Sequence, residues 1–404
     1  MQTSIIESIR KTAEGREAEA ILRSCVHCGF CTAACPTYQL TGDELDGPRG
    51  RIYLIKQVME GGEVGSGTQH HLDRCLHCLS CETACPSGVN YGRLVDYGRE
   101  LVEALVPRTA SRRLLRRLLL NVLPHPWRFN ALLRIGRRLR PLLPADLRAK
   151  LPPPQDVEEW PVPRHARRML VLEGCVQSVA TPATNAAVAR ILDRLGISLI
   201  RATGAACCGA ISHHLAARNE GLASARRNID AWWPHLERGA EALIITASGC
   251  GAHIKDYGAL LGGDPNYADK ASLVAERSKD LSEVIATADL AALKVDGHGR
   301  RVAVHTPCTL LHAQRRGGAV ETILRRCGYR TTAVADAHLC CGSAGTYSLM
   351  QPVLSQQLLA GKLAALQDGE PALIASANVG CQLHLATRAS VPVKHWVELL
   401  DTKP

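Results

Sequence analysis

Apolar positions recur with helical spacing from Tyr53 to Met59, and leucines alternate with arginines from Arg108 to Lys150, where Pro124, Pro126, Pro141 and Pro144 interrupt them. The first stretch predicts a helix. The second predicts short amphipathic helices, each ended by a proline that cannot continue the backbone ladder. Beyond the proline-rich Leu151–Pro163 the pattern changes. Short aliphatic runs, Met169–Glu173, Ser198–Thr203 and Leu243–Ala247, alternate with helical stretches such as Asn185–Leu195. The same order returns as Arg301–His305, a helix through Arg325, Thr331–Ala335 and Leu373–Ala377. Each half therefore predicts a small α/β layer with mostly parallel strands. No run of about 18 apolar residues occurs, so no transmembrane helix is expected.

The chain has 404 residues, enough for two to four domains, and its 46% apolar and 21% charged content is that of an ordinary folded protein. The net charge of +10 is localised: between Arg108 and Lys150 stand twelve basic residues and one acid, Asp146, so the remainder is close to neutral. Aromatic residues are scarce, with 2 Phe, 8 Tyr and 5 Trp, which argues against a nucleic-acid surface built on stacking rings. The arginine and leucine pattern suits an amphipathic segment lying on an anionic membrane surface. The favoured alternative is a connector whose leucines cover neighbouring domains or a partner subunit, with the arginines solvated.

Cysteine changes the picture most. There are 17, an odd number that cannot all be paired within one chain. Residues Met1–Arg10 lack the basic, apolar and small-residue sequence of a secretory leader, so the expected setting is a reducing cytoplasm, where clustered thiols bind metal more often than they form disulfides. Two runs share the spacing C-x2-C-x2-C-x3-C-P: Cys25, Cys28, Cys31, Cys35 with Pro36, and Cys75, Cys78, Cys81, Cys85 with Pro86. This is the spacing of a two-cluster ferredoxin, in which three thiolates wrap one [4Fe-4S] cube and the fourth reaches the other. The expected ligand sets are Cys25, Cys28, Cys31 and Cys85 for the first cluster, and Cys75, Cys78, Cys81 and Cys35 for the second. The helical segment between the runs, which follows Gly47-Pro48-Arg49-Gly50-Arg51, points to an α-helical ferredoxin-like domain. His27, His77 and Arg49 are candidates for hydrogen bonds to cluster sulfur, with plain surface roles as the alternative.

A second cysteine pattern repeats at long range. Cys175, Cys207-Cys208-Gly209 and Cys250 are matched by Cys308, Cys340-Cys341-Gly342 and Cys381, with 32 residues from the first cysteine to the pair in both copies. Two duplicated domains explain this. Cys175, Cys250, Cys308 and Cys381 fall just beyond expected strands, at the carboxyl edge where open sheets place ligands. His253 and His384 each follow the last cysteine by three residues, as further ligands or as helix residues near the site. Four thiolates there would suit an iron–sulfur cluster or a tetrahedral zinc, and spacing does not choose between them. Cys327 has no counterpart and is expected to be a buried thiol.

Two ferredoxin runs followed by two cysteine-cysteine-glycine domains resemble, nearly end to end, the iron–sulfur subunits of glycolate oxidase. More broadly they resemble those of lactate-utilising enzymes, anaerobic glycerol-3-phosphate dehydrogenase and heterodisulfide reductase. The resemblance implies an electron-transfer subunit of a complex whose FAD-containing subunits oxidise glycolate to glyoxylate, and D-lactate to pyruvate, with electrons passing to membrane quinone. It implies a peripheral place on the cytoplasmic face of the inner membrane, or a cytoplasmic one. The alternatives are a subunit of a lactate or glycerol-3-phosphate dehydrogenase, or a catalytic subunit like that of heterodisulfide reductase. The C-x2-H endings depart from the C-x2-C of the cysteine-rich domains that hold a non-cubane cluster in heterodisulfide reductase.

The expected class is thus multidomain α/β: an α-helical ferredoxin domain over 1–106, a basic linker over 107–166, and cysteine-rich domains over 167–295 and 296–404. No G-x-G-x-x-G opens a helix and no phosphate loop is present, so flavin and nicotinamide are not expected on this chain, and no catalytic residue is assigned. Removing hydride from a 2-hydroxy acid needs a flavin or nicotinamide acceptor, so a flavin-bearing partner is the chemical requirement.

Overall fold

The computed structural model describes residues 1–401, apart from the side chain of Asp146, so the lone acid of the basic segment and the last three residues of the 296–404 domain lie outside the described residues. The residues group into two compact units, Met1–Arg117 with His338–Lys362, and Leu118–Ala337 with Leu363–Pro404.

The first unit is helical. Gly47 in extended backbone and Pro48 at the first helical position open the helix Pro48–Met59, whose Ile52, Ile55, Val58 and Met59 are buried. It packs on helix Tyr91–Leu105, capped by the Asn90 side chain, through Leu94, Val95 and Val102. The approach is close enough that a Cβ on Gly98 would stand 2.5 Å from Ile55. This core encloses Cys25, Cys75 and Cys81.

The second unit carries two four-stranded sheets, all parallel. Strands β1 (Arg167–Leu172), β2 (Ile197–Arg201), β3 (Leu243–Ile245) and β4 (Ser278–Asp280) lie in the order β2-β1-β3-β4. Strands β5 (Arg301–His305), β6 (Arg330–Thr331), β7 (Leu373–Ser376) and β8 (Val393–His395) repeat that order as β6-β5-β7-β8. Their apolar faces share one core, in which Val171, Val188 and Ile244 of the first copy join Val302, Ile323 and Trp396 of the second. Cys327 is buried in it. Polar contacts repeat across the junction: Ser248 N–H donates to the Ala377 carbonyl at 3.1 Å and Gly249 N–H to Asn378 Oδ1 at 3.3 Å. The other face of the first sheet packs on Trp232, Ile254 and Tyr257.

Two details differ from the sequence reading. Of Thr331–Ala335 only Thr331 lies in a strand, the two-residue edge strand β6, and Thr332 adds one N–H bond to the Val302 carbonyl at 3.0 Å. The fourth strands β4 and β8 carry no aliphatic run that would announce them.

The basic segment forms helices Ala110–Val122 and Pro126–Arg138. Leu119 and Leu133 are buried, whereas Leu114, Leu118, Trp127, Leu132 and Ile135 are exposed. Not every arginine is free: Arg108 is buried between Asp73 and Glu103, each 2.6 Å away, and Arg116 lies 3.5 Å from Glu103. No helix among the described residues is long and apolar enough to cross a membrane.

Candidate metal centres

The two ferredoxin runs fold alike. In each, the residue just before the second cysteine and the one just after it take left-handed backbone: His27 and Gly29 in the first run, His77 and Leu79 in the second. A short helix follows, Phe30–Ala33 or Ser80–Thr83. The chain therefore curls around its own thiols. Cys35 then leads into helix Pro36–Thr41, with Pro36 at its first position, while Cys85 leads into a turn.

The thiols group across the runs. Cys31 has Cys25, Cys28 and Cys85 as its charged neighbours, and burial, together with this crowding, pushes its thiol up to about 11. Cys81 has Cys78, Cys75 and Cys35, and is raised by burial and by the same crowding. Four thiols with mutually unfavourable charge make a donor set whose repulsion a cationic iron core relieves. The first group faces a cleft with about 440 Å³ of free space, part of it open to solvent, whose walls include Cys25, Cys28, Cys31, Cys85, Arg49 and Ile52. Cys28 is exposed, as are Val26 and Phe30 beside it. Cys35, Cys75, Cys78 and Cys81 are all buried.

Polar neighbours surround the second group. His77 N–H lies 3.4 Å from Cys75 Sγ, while its ring pairs with Asp96 at 3.0 Å; burial lowers its basicity, but the carboxylate outweighs burial and holds it up at about 9. Arg49, a candidate from the sequence, pairs through Nε with Glu44 at 2.6 Å, and both it and His27 line the cleft beside Cys25 and Cys28. Three groups escaped the sequence reading: Tyr91, whose hydroxyl stands 3.6 Å from Cys75 Sγ; Thr37, whose hydroxyl is 3.2 Å from Cys35 Sγ; and the buried Arg51. The neighbouring Gly47 and Pro48 marked the stretch, but nothing in it tells a buried arginine from an exposed one.

The first cysteine-rich copy gathers Cys175, Cys207, Cys208 and Cys250 at the carboxyl end of its sheet, where the chain order reverses between β1 and β3. Cys207 is held well below the usual thiol range by hydrogen bonds from the Cys175 and Cys208 thiols, and those two are pushed up in turn. Side-chain donors fix the loop backbone: Asn228 Nδ2 donates to the Cys207 carbonyl at 2.8 Å and Tyr257 Oη to that of Cys208 at 2.6 Å. Gly209 has φ +95°, and a Cβ there would stand 2.8 Å from the Gly221 carbonyl oxygen, so both conformation and space require glycine. His253 is buried beside this group, its ring 5.3 Å from that of His213 and within charge range of Cys207. The four thiols fit either an iron–sulfur cluster or zinc.

In the second copy, Cys308, Cys381 and His384 belong to the second unit, and Asn378 Nδ2 approaches Cys381 Sγ at 3.3 Å. Cys340 and Cys341 belong to the first unit. Gly342 repeats the constraint of Gly209, with φ +85° and a Cβ that would meet the Ser355 carbonyl oxygen at 2.6 Å.

Family models match both cysteine patterns. Residues 21–89 match a 4Fe-4S dicluster domain, and 169–255 and 302–386 each match a cysteine-rich domain. The chain is 55% identical, over 99% of its length and 98% of the relative's, to the glycolate oxidase iron-sulfur subunit of Escherichia coli (strain K12). It is 30% identical to a probable glycolate oxidase iron-sulfur subunit of Bacillus subtilis, covering 94% of this chain and 92% of the other. Lactate utilization protein A of Bacillus velezensis is 27% identical over 54% of this chain and 92% of its own.

Proposed function

Because the chain belongs to the family of glycolate oxidase iron–sulfur subunits, we propose that it carries electrons from a partner FAD subunit, which oxidises glycolate to glyoxylate and D-lactate to pyruvate, toward membrane quinone. A [4Fe-4S] cluster supplies one-electron uptake and release, while the flavin takes the hydride from the substrate. Cys25, Cys28, Cys31 and Cys85 hold one cluster. Cys35, Cys75, Cys78 and Cys81 hold the other. The observation that carries this reading is the crossed grouping of the eight thiols, each set drawing its fourth member from the opposite run.

The exposed Val26, Cys28 and Phe30 support a docking place for the flavin-bearing partner beside the first set, because a cluster near the surface shortens the path from a donor outside the chain. The four thiols of the first cysteine-rich copy, with His253 beside them, support a third metal, iron–sulfur or zinc. Helices Ala110–Val122 and Pro126–Arg138 combine exposed leucines, Ile135 and Trp127 with a high density of arginine, which supports a peripheral seat on the anionic cytoplasmic face of the inner membrane.

The test is electron paramagnetic resonance of the dithionite-reduced full chain with iron and sulfide analysis. Two interacting reduced [4Fe-4S] signals are expected. A protein carrying zinc at the eight thiols and no paramagnetic signal would overturn the reading.

A further inference from the structure

Arg51 is 1% exposed, and its place is not explained by packing alone. Its Nε donates to the His71 carbonyl at 2.8 Å, and both terminal nitrogens donate to Thr37 Oγ1 at 3.3 Å. Thr37 Oγ1 stands 3.2 Å from Cys35 Sγ. The guanidinium and the sulfur of a second-set cysteine thus adjoin the same hydroxyl, whose own hydrogen goes to the Asp46 carbonyl at 2.8 Å. Cys75 and Cys35 lie within its electrostatic range, and so does Tyr91, whose hydroxyl approaches Cys75 Sγ.

A buried guanidinium is costly unless negative charge answers it. The nearest carboxylate is Asp46, fully buried, but Asp46 is engaged more closely by others: Arg74 at 2.6 Å and His71 at 2.9 Å, against 3.7 Å to Arg51. Arg51 thus faces the sulfurs with much of its charge uncompensated. Tyr347, buried and donating to the Arg74 carbonyl at 3.1 Å, helps keep water from this corner, so the charge is weakly screened. The other arginine of the stretch contrasts with it: Arg49, beside the first set, is 38% exposed and paired with Glu44 at 2.6 Å.

We propose that Arg51 is a positioning residue that raises the reduction potential of the cluster held by Cys35, Cys75, Cys78 and Cys81, with Asp46 as the opposing charge. Adding one electron makes that cluster more negative, and a fixed buried cation favours the reduced form. The corner of Arg51, Asp46 and Thr37 is built to hold an electron on the second cluster. The first cluster lacks an equivalent buried cation among the described residues that line its cleft.

This rests on the two-cluster reading above, and a shortfall of iron and sulfide in the unsubstituted protein would mark failure of that reading before any titration. The experiment is a potentiometric titration followed by electron paramagnetic resonance on the full chain, unsubstituted and as Arg51→Lys, Arg51→Met and Asp46→Asn. In Arg51→Met the reduced-to-oxidised ratio of one cluster at fixed potential falls at least tenfold, equivalent to 59 mV for a one-electron couple. In Asp46→Asn the same signal moves the opposite way, Arg51→Lys stays near the unsubstituted value, and the other cluster keeps its potential throughout. Should Arg51→Met fail to retain its cluster, Asp46→Asn decides by the sign of its shift. Unchanged titrations with full iron and sulfide, or equal shifts of both signals, would overturn the proposal.

Discussion

Protonating one buried histidine should loosen the junction between the two sheets of the second unit. His395, at the end of β8, is fully buried. Its Nε2 faces the Thr246 carbonyl oxygen at 2.9 Å and must carry the hydrogen there, while Nδ1 accepts from the Val397 N–H at 3.3 Å. The ring is therefore fixed as the neutral tautomer, and a second proton would abolish the bond from Val397. Burial lowers its basicity from 6.5 to about 4, despite the favourable carbonyl of Thr246. A depressed native value means that this residue's contribution is fully present above 6.5, the unfolded value, and is lost as pH falls through about 4. At about 1.4 kcal/mol per pH unit the full loss is about 3 kcal/mol. Between pH 7 and pH 5, where iron–sulfur sites are less exposed to acid, the expected loss is about 2 kcal/mol. Urea unfolding followed by tryptophan fluorescence at several pH values, on the unsubstituted chain and on His395→Gln, isolates it. Glutamine keeps a donor for the Thr246 carbonyl and cannot titrate. The stability difference between the two proteins should narrow toward acid pH, and parallel curves would refute the assignment of a neutral, pinned ring.

Other expectations concern the metal centres, the core and the surface. Cys35→Ser should abolish the cluster of the opposite run and remove about four irons per chain, measured by iron analysis; loss of the first-run cluster instead would reverse the crossed assignment. Trp232→Ala removes a fully buried side chain and should cost about 3–5 kcal/mol in denaturant unfolding, with the ferredoxin signals kept. The double variant Leu132→Glu and Ile135→Glu places charges on an exposed apolar face and should reduce sedimentation with anionic vesicles at least tenfold. Equal binding to anionic and neutral vesicles, or none by the unsubstituted chain, would move that face to a protein partner.

The chain announced its chemistry better than its surroundings. Proline after each fourth cysteine, the duplicated triplet spacing and the repeated cysteine-cysteine-glycine loops are local and dense, so the cluster motifs and the duplication were readable from them, and the aliphatic runs between helical stretches announced the parallel sheets. Strand β4, spelled Ser278-Lys279-Asp280, was not: a three-residue edge strand is made by its neighbour's hydrogen bonds rather than by its own side chains. Thr332–Ala335 had the composition of a strand, but past the Thr332 N–H, which donates to the Val302 carbonyl at 3.0 Å, the pairing with β5 ends. Arg49 and Arg51 are two positions apart on one helix, and only the fold turns one to Glu44 and the cleft and the other into the core. The arginine-rich segment likewise read as uniformly exposed charge, yet Arg108 and Arg116 are buried in ion pairs whose acids, Asp73 and Glu103, lie outside it.

Iron, acid-labile sulfide and zinc per chain, on anaerobically purified protein with electron paramagnetic resonance of the reduced sample, test the central claim most directly. The account expects about eight irons with matching sulfide from the two ferredoxin sets, and two interacting signals. Any metal of the first cysteine-rich copy comes in addition. Four irons or fewer with a single signal, or zinc in place of iron at the ferredoxin thiols, would contradict it.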